Sequence, residues 1–356
     1  MCSKRTLGAA IALATVLTLS ATVANAAGKV VFVSFGGTYQ AAQESAYAKP
    51  FAQQEGVELI SDSGPNLAKI KAMVQAKAVQ WDVVEVTEAD YVNLVQQDLL
   101  EPIDYSVFDK DTLAAIDTKF RPKYGVAAVL YAFGIAYRTD LNRPSHPTTW
   151  KEFWDTTKFP GPRAMPSGTF PNPPWESALL ADGVTPDKLY PIDFKRALGS
   201  LDKIKSSVKV WYNDTAAGVQ SLVSGDVDYA SLPNGRVIQA KAQGAKVDFE
   251  YGQAFLYLDY FVVPKGAPNK AEAMKLLAFA SKSEPSAALM KAIPYSPPNA
   301  NALKLLDPAY AASLPTAPDN IAREIPITGT FYGEDSGNGQ TWQEVALKTW
   351  NEWYGR

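Results

Sequence analysis

The sequence predicts a two-lobe α/β protein, and three observations lead there. The chain has 356 residues, more than a single hydrophobic core usually serves. Its first third alternates short apolar strands with helical segments, the pattern of an α/β sheet with mostly parallel strands. Near residue 137 the pattern breaks into a Pro-rich stretch, Arg143 to Pro147, and a second α/β series begins beyond it.

In the first series, Lys29 to Ser34 is a β-branched strand, Gly36-Gly37 breaks it, and Thr38 to Gln54 has helical spacing. Val57 to Ile60 is a second strand. Asn66 to Lys77 is a helix with Leu67, Ile70 and Val74 on one face, and Asp82 to Val86 is a third strand. After the strand Tyr131 to Tyr137, Thr149 to Trp154 opens a new helical unit. The second series runs helix Asp193 to Lys205, strand Val208 to Trp211, helix Ala216 to Ser224 and strand Asp228 to Leu232. Gln253 to Pro264 is the longest apolar-aromatic strand, followed by the helix Lys270 to Ser281. The chain closes in a helix, Gln340 to Trp353, whose Trp342, Ala346, Trp350 and Trp353 recur at the spacing of a packed face. Two lobes joined by extended crossings imply a hinge. The expected division is 27–137 with about 261–305 in one lobe, and 138–260 with about 306–356 in the other.

Residues 1–26 read as an export signal: Lys4 and Arg5, an uncharged apolar run from Leu7 to Leu19, then Ala24-Asn25-Ala26 before the cleavage point. The run is too short to span a bilayer, which takes about 20 residues. Cleavage would leave 330 residues with no cysteine, since Cys2 lies in the removed segment; disulfide and thiolate chemistry are then excluded. Losing two cations moves the net charge from −3 to −5. That mild acidity argues against a nucleic-acid partner and favours cationic solutes. A periplasmic monomer is expected.

The residue inventory offers little for catalysis. His146, in Pro-Ser-His-Pro, is the only histidine and reads as a solvated loop residue; no Gly-x-Ser-x-Gly elbow accompanies it. Clustered His and Cys for transition metals are absent, and Gly36-Gly37 lacks dinucleotide-site spacing. No cofactor is expected. A secreted hydrolase using a carboxylate pair in the cleft stays open as the alternative.

Seven segments, in order and spacing, carry a resemblance from about Lys29 to the C-terminus. They are Ser34-Phe35-Gly36-Gly37-Thr38-Tyr39, Trp81-Asp82-Val83-Val84, Ala178-Leu179-Leu180-Ala181-Asp182-Gly183, Ser224-Gly225-Asp226-Val227-Asp228, Pro233-Asn234-Gly235-Arg236, Tyr257-Leu258-Asp259-Tyr260 and Ile293-Pro294-Tyr295-Ser296-Pro297-Pro298-Asn299. On these the chain resembles the solute-binding proteins of ABC importers, in the spermidine/putrescine-binding branch with its GABA- and opine-binding relatives. The resemblance implies a periplasmic receptor for a small amine-bearing solute, working with an inner-membrane permease. Related ferric-ion binders need adjacent cleft tyrosines, and no Tyr-Tyr pair occurs.

The family holds its ligand with an aromatic box and a few carboxylates, as an alkyl-ammonium requires. The resemblance implies Phe35 and Tyr39 as walls with Ser34 and Thr38 as polar contacts, Tyr257 and Asp259 as an aromatic-x-acid clamp, and Tyr295 as a wall of the first lobe. Glu176 falls near the family's acids on the second lobe, although an acid there also reads as a solvated helix start. Three departures stand out. Pro233 replaces a Trp often found before Asn-Gly; Ala89 falls about where a stacking Tyr is expected, leaving Thr87 and Glu88 as polar candidates; and Arg236 follows Asn234-Gly235. An arginine in the cleft would repel a polyamine but grip a carboxylate. The expected ligand is therefore a GABA-like amino acid or an opine, with putrescine or spermidine as competitor.

Overall fold

The computed structural model describes residue 1 and residues 28–168, 174–327 and 329–355. The export signal lies outside the described residues. Among the described residues nine strands form one continuous sheet: β1 Lys29–Ser34, β2 Glu58–Ser63, β3 Val83–Thr87, β4 Val126–Arg138, β5 Arg163–Pro166, β6 Val208–Tyr212, β7 Tyr229–Pro233, β8 Val247–Val262 and β9 Ile325–Pro326. Their order is β2-β1-β3-β8-β4-β7-β5-β6, with β9 beside β8.

Two of these strands explain the architecture. β4 and β8, 13 and 16 residues long, pair antiparallel along their length and run through both lobes, with register shifts at Ala127/Val129 and Phe133/Ile135. Outside them the pairs β1·β2 and β1·β3 on one flank, and β5·β6 and β5·β7 on the other, are parallel. Mostly parallel pairing is thus true of the flanks, whereas the crossings are antiparallel.

Apolar side chains collect on either side of the crossings. Val30, Phe32, Val129, Phe261 and Leu277 pack with Leu306 and Leu314 in the first lobe. On the opposite face of that lobe's sheet, Val31, Val84 and Tyr260 belong to one cluster with Trp81. The second lobe closes on Ile135, Trp150, Trp175, Leu232 and Phe255, capped by Trp350 and Trp353. The last helix, Trp342–Tyr354, starts in a reciprocal capping box between Thr341 and Glu344 and buries Ala346, Trp350 and Trp353.

Two sequence expectations change here. The Thr38 to Gln54 helix contains a π-helical segment, Glu44–Ala48, between α-helical parts. His146 is not a solvated loop residue: it stacks on Tyr137 at 3.7 Å and contacts Glu250 at 3.1 Å.

Candidate functional site

A cavity of about 210 Å³ opens where the crossings meet both lobes, lined by Phe35, Gly36, Tyr39, Thr87, Tyr131, Phe133, Thr215, Pro233, Arg236, Asp259 and Tyr295. Strand register builds most of it. On β8, Asp259 lies opposite Thr87 of β3 and Val129 of β4, and Tyr257 lies opposite Tyr131. Period-two alternation therefore sets Tyr257, Asp259, Tyr131 and Phe133 on one face.

The aromatic walls form a chain. Tyr257 stacks on Tyr131 at 5.6 Å, Tyr131 meets Tyr295 at 5.4 Å, and Tyr295 meets Tyr39 edge-on at 5.8 Å. Such a run offers apolar surface and ring faces with negative potential. Gly235 sets the Tyr295 position, because a Cβ there would come within 2.4 Å of the ring. Gly235→Ala is expected to cost about 1–3 kcal/mol through overpacking, read by denaturant unfolding. Unchanged stability would show that the contact is slack.

Asp259 is the electrostatic centre. It is 6% exposed, and its Oδ1 has no hydrogen-bond partner. Burial first, then the neighbouring acids Glu85, Asp90 and Glu88, push its carboxyl well above the usual range. An unpaired buried carboxylate is costly, and an arriving cation would offset that cost.

Arg236 enters from the start of the Asn234–Ala242 helix. It lines the cavity, and its Nη1 donates to Thr38 Oγ1 at 3.2 Å across the cleft. Asn234 fixes that helix start: its Oδ1 accepts from Ala132 N at 3.0 Å and its Nδ2 donates to Pro294 O at 2.7 Å.

Of the residues expected from sequence, Phe35, Tyr39, Thr87, Arg236, Asp259 and Tyr295 line the cavity. Thr38 is exposed and holds Arg236, while Tyr257 supports Tyr131 from beside it. Ser34 is fully buried and bonded to Gln43 and Glu85 beneath the cavity. Glu88 accepts from Gly329 N at 2.8 Å, and a Cβ on Gly329 would lie 2.8 Å from Ala89 N. Ala89 is thus where Gly329 rests against the Glu88–Gln96 helix. Glu176 is not a solvated helix start; it is 1% exposed and accepts from Tyr190 and Tyr332 at 2.9 and 2.7 Å.

Sequence reasoning missed Tyr131, Phe133 and Thr215 on the walls, and Glu85 and Gln43 below. Tyr131 and Phe133 alternate within a strand already legible, so only the pairing partner was lacking.

The comparisons agree with this construction. Residues 46–317 match the family model described as bacterial extracellular solute-binding protein. The gamma-aminobutyric acid (GABA)-binding protein of Pseudomonas aeruginosa is 35% identical over 307 residues, 84% of this chain and 85% of that protein. A solved ABC transporter substrate-binding protein from Bradyrhizobium japonicum is similar with a TM-score of 0.83 at 36% identity, covering 92% of this chain and 99% of the other. A solved GABA receptor gives 0.81 at 35%, with 92% and 97% covered. These relatives are binding proteins of transporters and not enzymes, so the hydrolase alternative is not favoured. The chain belongs to the bacterial extracellular solute-binding proteins, as the substrate-binding protein of an ABC transporter.

Proposed function

We propose that the chain is a periplasmic receptor that captures a GABA-like amino acid, its ammonium on Asp259 and its carboxylate on Arg236, and delivers it to a membrane permease. The observation that carries this reading is the partnerless Asp259 Oδ1 in a cavity whose other charged lining residue, among the described residues, is Arg236. A zwitterion satisfies both ends, whereas a polyamine would meet the guanidinium with a like charge. The similarity to two GABA-binding proteins supports the same choice. A volume of about 210 Å³ is below the roughly 300–1,000 Å³ of sites for drug-sized ligands and suits a short solute. The division into 27–137 with about 261–305, and 138–260 with about 306–356, is proposed as the pair of closing bodies, with Tyr260, Leu306 and Leu314 packing across these bounds into the first and Ile135 into the second. The Arg236–Thr38 and Glu88–Gly329 bonds would then be contacts of the closed form.

A thermal-shift screen of GABA, putrescine, spermidine and opines tests the ligand class. A ligand at 100 times its Kd adds about 2.7 kcal/mol to stability. Arg236→Ala is expected to weaken GABA about 10- to 100-fold, the worth of a charged hydrogen-bond pair, while leaving putrescine no weaker. Putrescine binding without GABA binding would overturn the zwitterion reading.

A further inference from the structure

Beneath the cavity, three buried side chains meet with one proton too few between them. Ser34 Oγ lies 2.5 Å from Gln43 Oε1 and 2.6 Å from Glu85 Oε2, and Gln43 Nε2 lies 2.7 Å from that same Glu85 oxygen. A hydroxyl has a single proton to donate. With the amide in this orientation, the Ser34 proton serves one of its two oxygen contacts, and the other needs a proton from elsewhere. Turning the amide over does not remove the deficit. Gln43 then donates to Ser34 and Ser34 to Glu85, but the Gln43 oxygen faces the Glu85 oxygen at 2.7 Å. In both orientations the missing proton can come only from Glu85.

The surroundings agree. Glu85 is 0% exposed, and burial holds its carboxyl above the usual range against the hydrogen bonds from Ser34, Tyr39 and Gln43. The titratable groups facing it are Tyr39 and Tyr47 from the helical segment after β1, Asp259 from β8 and Tyr295 from the loop after residue 292. None is a cation. Glu88 and Asp90, which face Asp259, add only negative charge, and Arg236 acts on Tyr295.

We infer that Glu85 is a neutral carboxylic acid at neutral pH, a positioning residue whose proton closes the Ser34–Gln43 triangle and whose other oxygen holds the Tyr39 ring in the cavity wall. Tyr39 OH donates to Glu85 Oε1 at 2.6 Å, which sets the ring against Tyr295. The consequence for specificity, which rests on the ammonium reading above, is that Asp259 is the one carboxylate lining the cavity, left to ionise when an ammonium arrives. One negative charge suits a monoamine, and the second ammonium of a diamine finds no partner.

An atomic-resolution crystal structure of the unaltered protein at pH 7 reads the proton directly. Unequal C–O bonds in the Glu85 carboxyl are expected, and equal bonds overturn the inference. The positioning role is read from GABA titrations. Glu85→Ala is expected to lose at least about tenfold by releasing Tyr39, and Glu85→Gln, neutral and equally long, to recover most of it. A Gln variant as weak as the Ala variant overturns that role. If the unaltered protein binds neither GABA nor putrescine, the ammonium reading fails, and the bond lengths still decide the state of Glu85.

Discussion

Asp259→Asn is expected to weaken an ammonium ligand by about 100-fold or more, while the protein still folds. Removing one partner of a buried ion pair costs about 3–5 kcal/mol, and each 1.4 kcal/mol is a factor of ten in Kd. The amide fills the same space on the same strand, so Thr87 and Val129 keep their register opposite residue 259. Without ligand the sign reverses, because the unaltered carboxyl is buried without a partner at Oδ1. Its folded-state pKa is raised, so the folded chain keeps this proton where the unfolded chain has lost it. Stability of the unaltered apo protein should therefore fall as pH rises from the ordinary carboxylate range through the raised value. The Asn variant should lack that contribution. Titration calorimetry reads the first effect and denaturant unfolding at several pH values the second. Equal GABA affinity in both proteins would remove Asp259 from the site.

Trp350→Ala is expected to cost about 3–5 kcal/mol of stability, as truncation of a buried Trp does. The ring is 1% exposed. It meets Trp175 at 6.0 Å, Trp211 at 5.2 Å and Trp353 at 5.0 Å, and stacks on Tyr354 at 5.5 Å. Four aromatic partners around one ring leave a void that surrounding backbone cannot close. The loss should appear as a lower urea midpoint with an unchanged m-value. A cost under about 1 kcal/mol would mean that the last helix is not part of the second lobe's core.

Much of this was legible because local rules suffice for it. β1 occupies the six residues expected from its β-branched run, and Asn66, Thr149 and Asp193 cap helices whose starts their side-chain oxygens mark. Asp259 stood out as an acid on an aromatic strand face. What sequence could not supply was pairing over long separations. Tyr131 joins the site only because β4 pairs with β8 in a register that puts it opposite Tyr257. Glu85 reads as one residue of an apolar strand until the fold brings Ser34, Tyr39 and Gln43 against it. Ala89 looked like a lost stacking residue; the fold instead brings its backbone against Gly329, 240 positions away. The resemblance pointed to Ser34 as a ligand contact because family motifs carry position but not side-chain direction, and here that side chain turns inward.

A crystal structure with GABA bound tests the central claim most directly. The ammonium is expected about 2.7–2.9 Å from Asp259 Oδ1, the range of charge-assisted bonds, with the carboxylate on the Arg236 guanidinium and the methylenes against Tyr39, Tyr131 and Tyr295. GABA bound with its carboxylate away from Arg236, or outside this cavity, would contradict it.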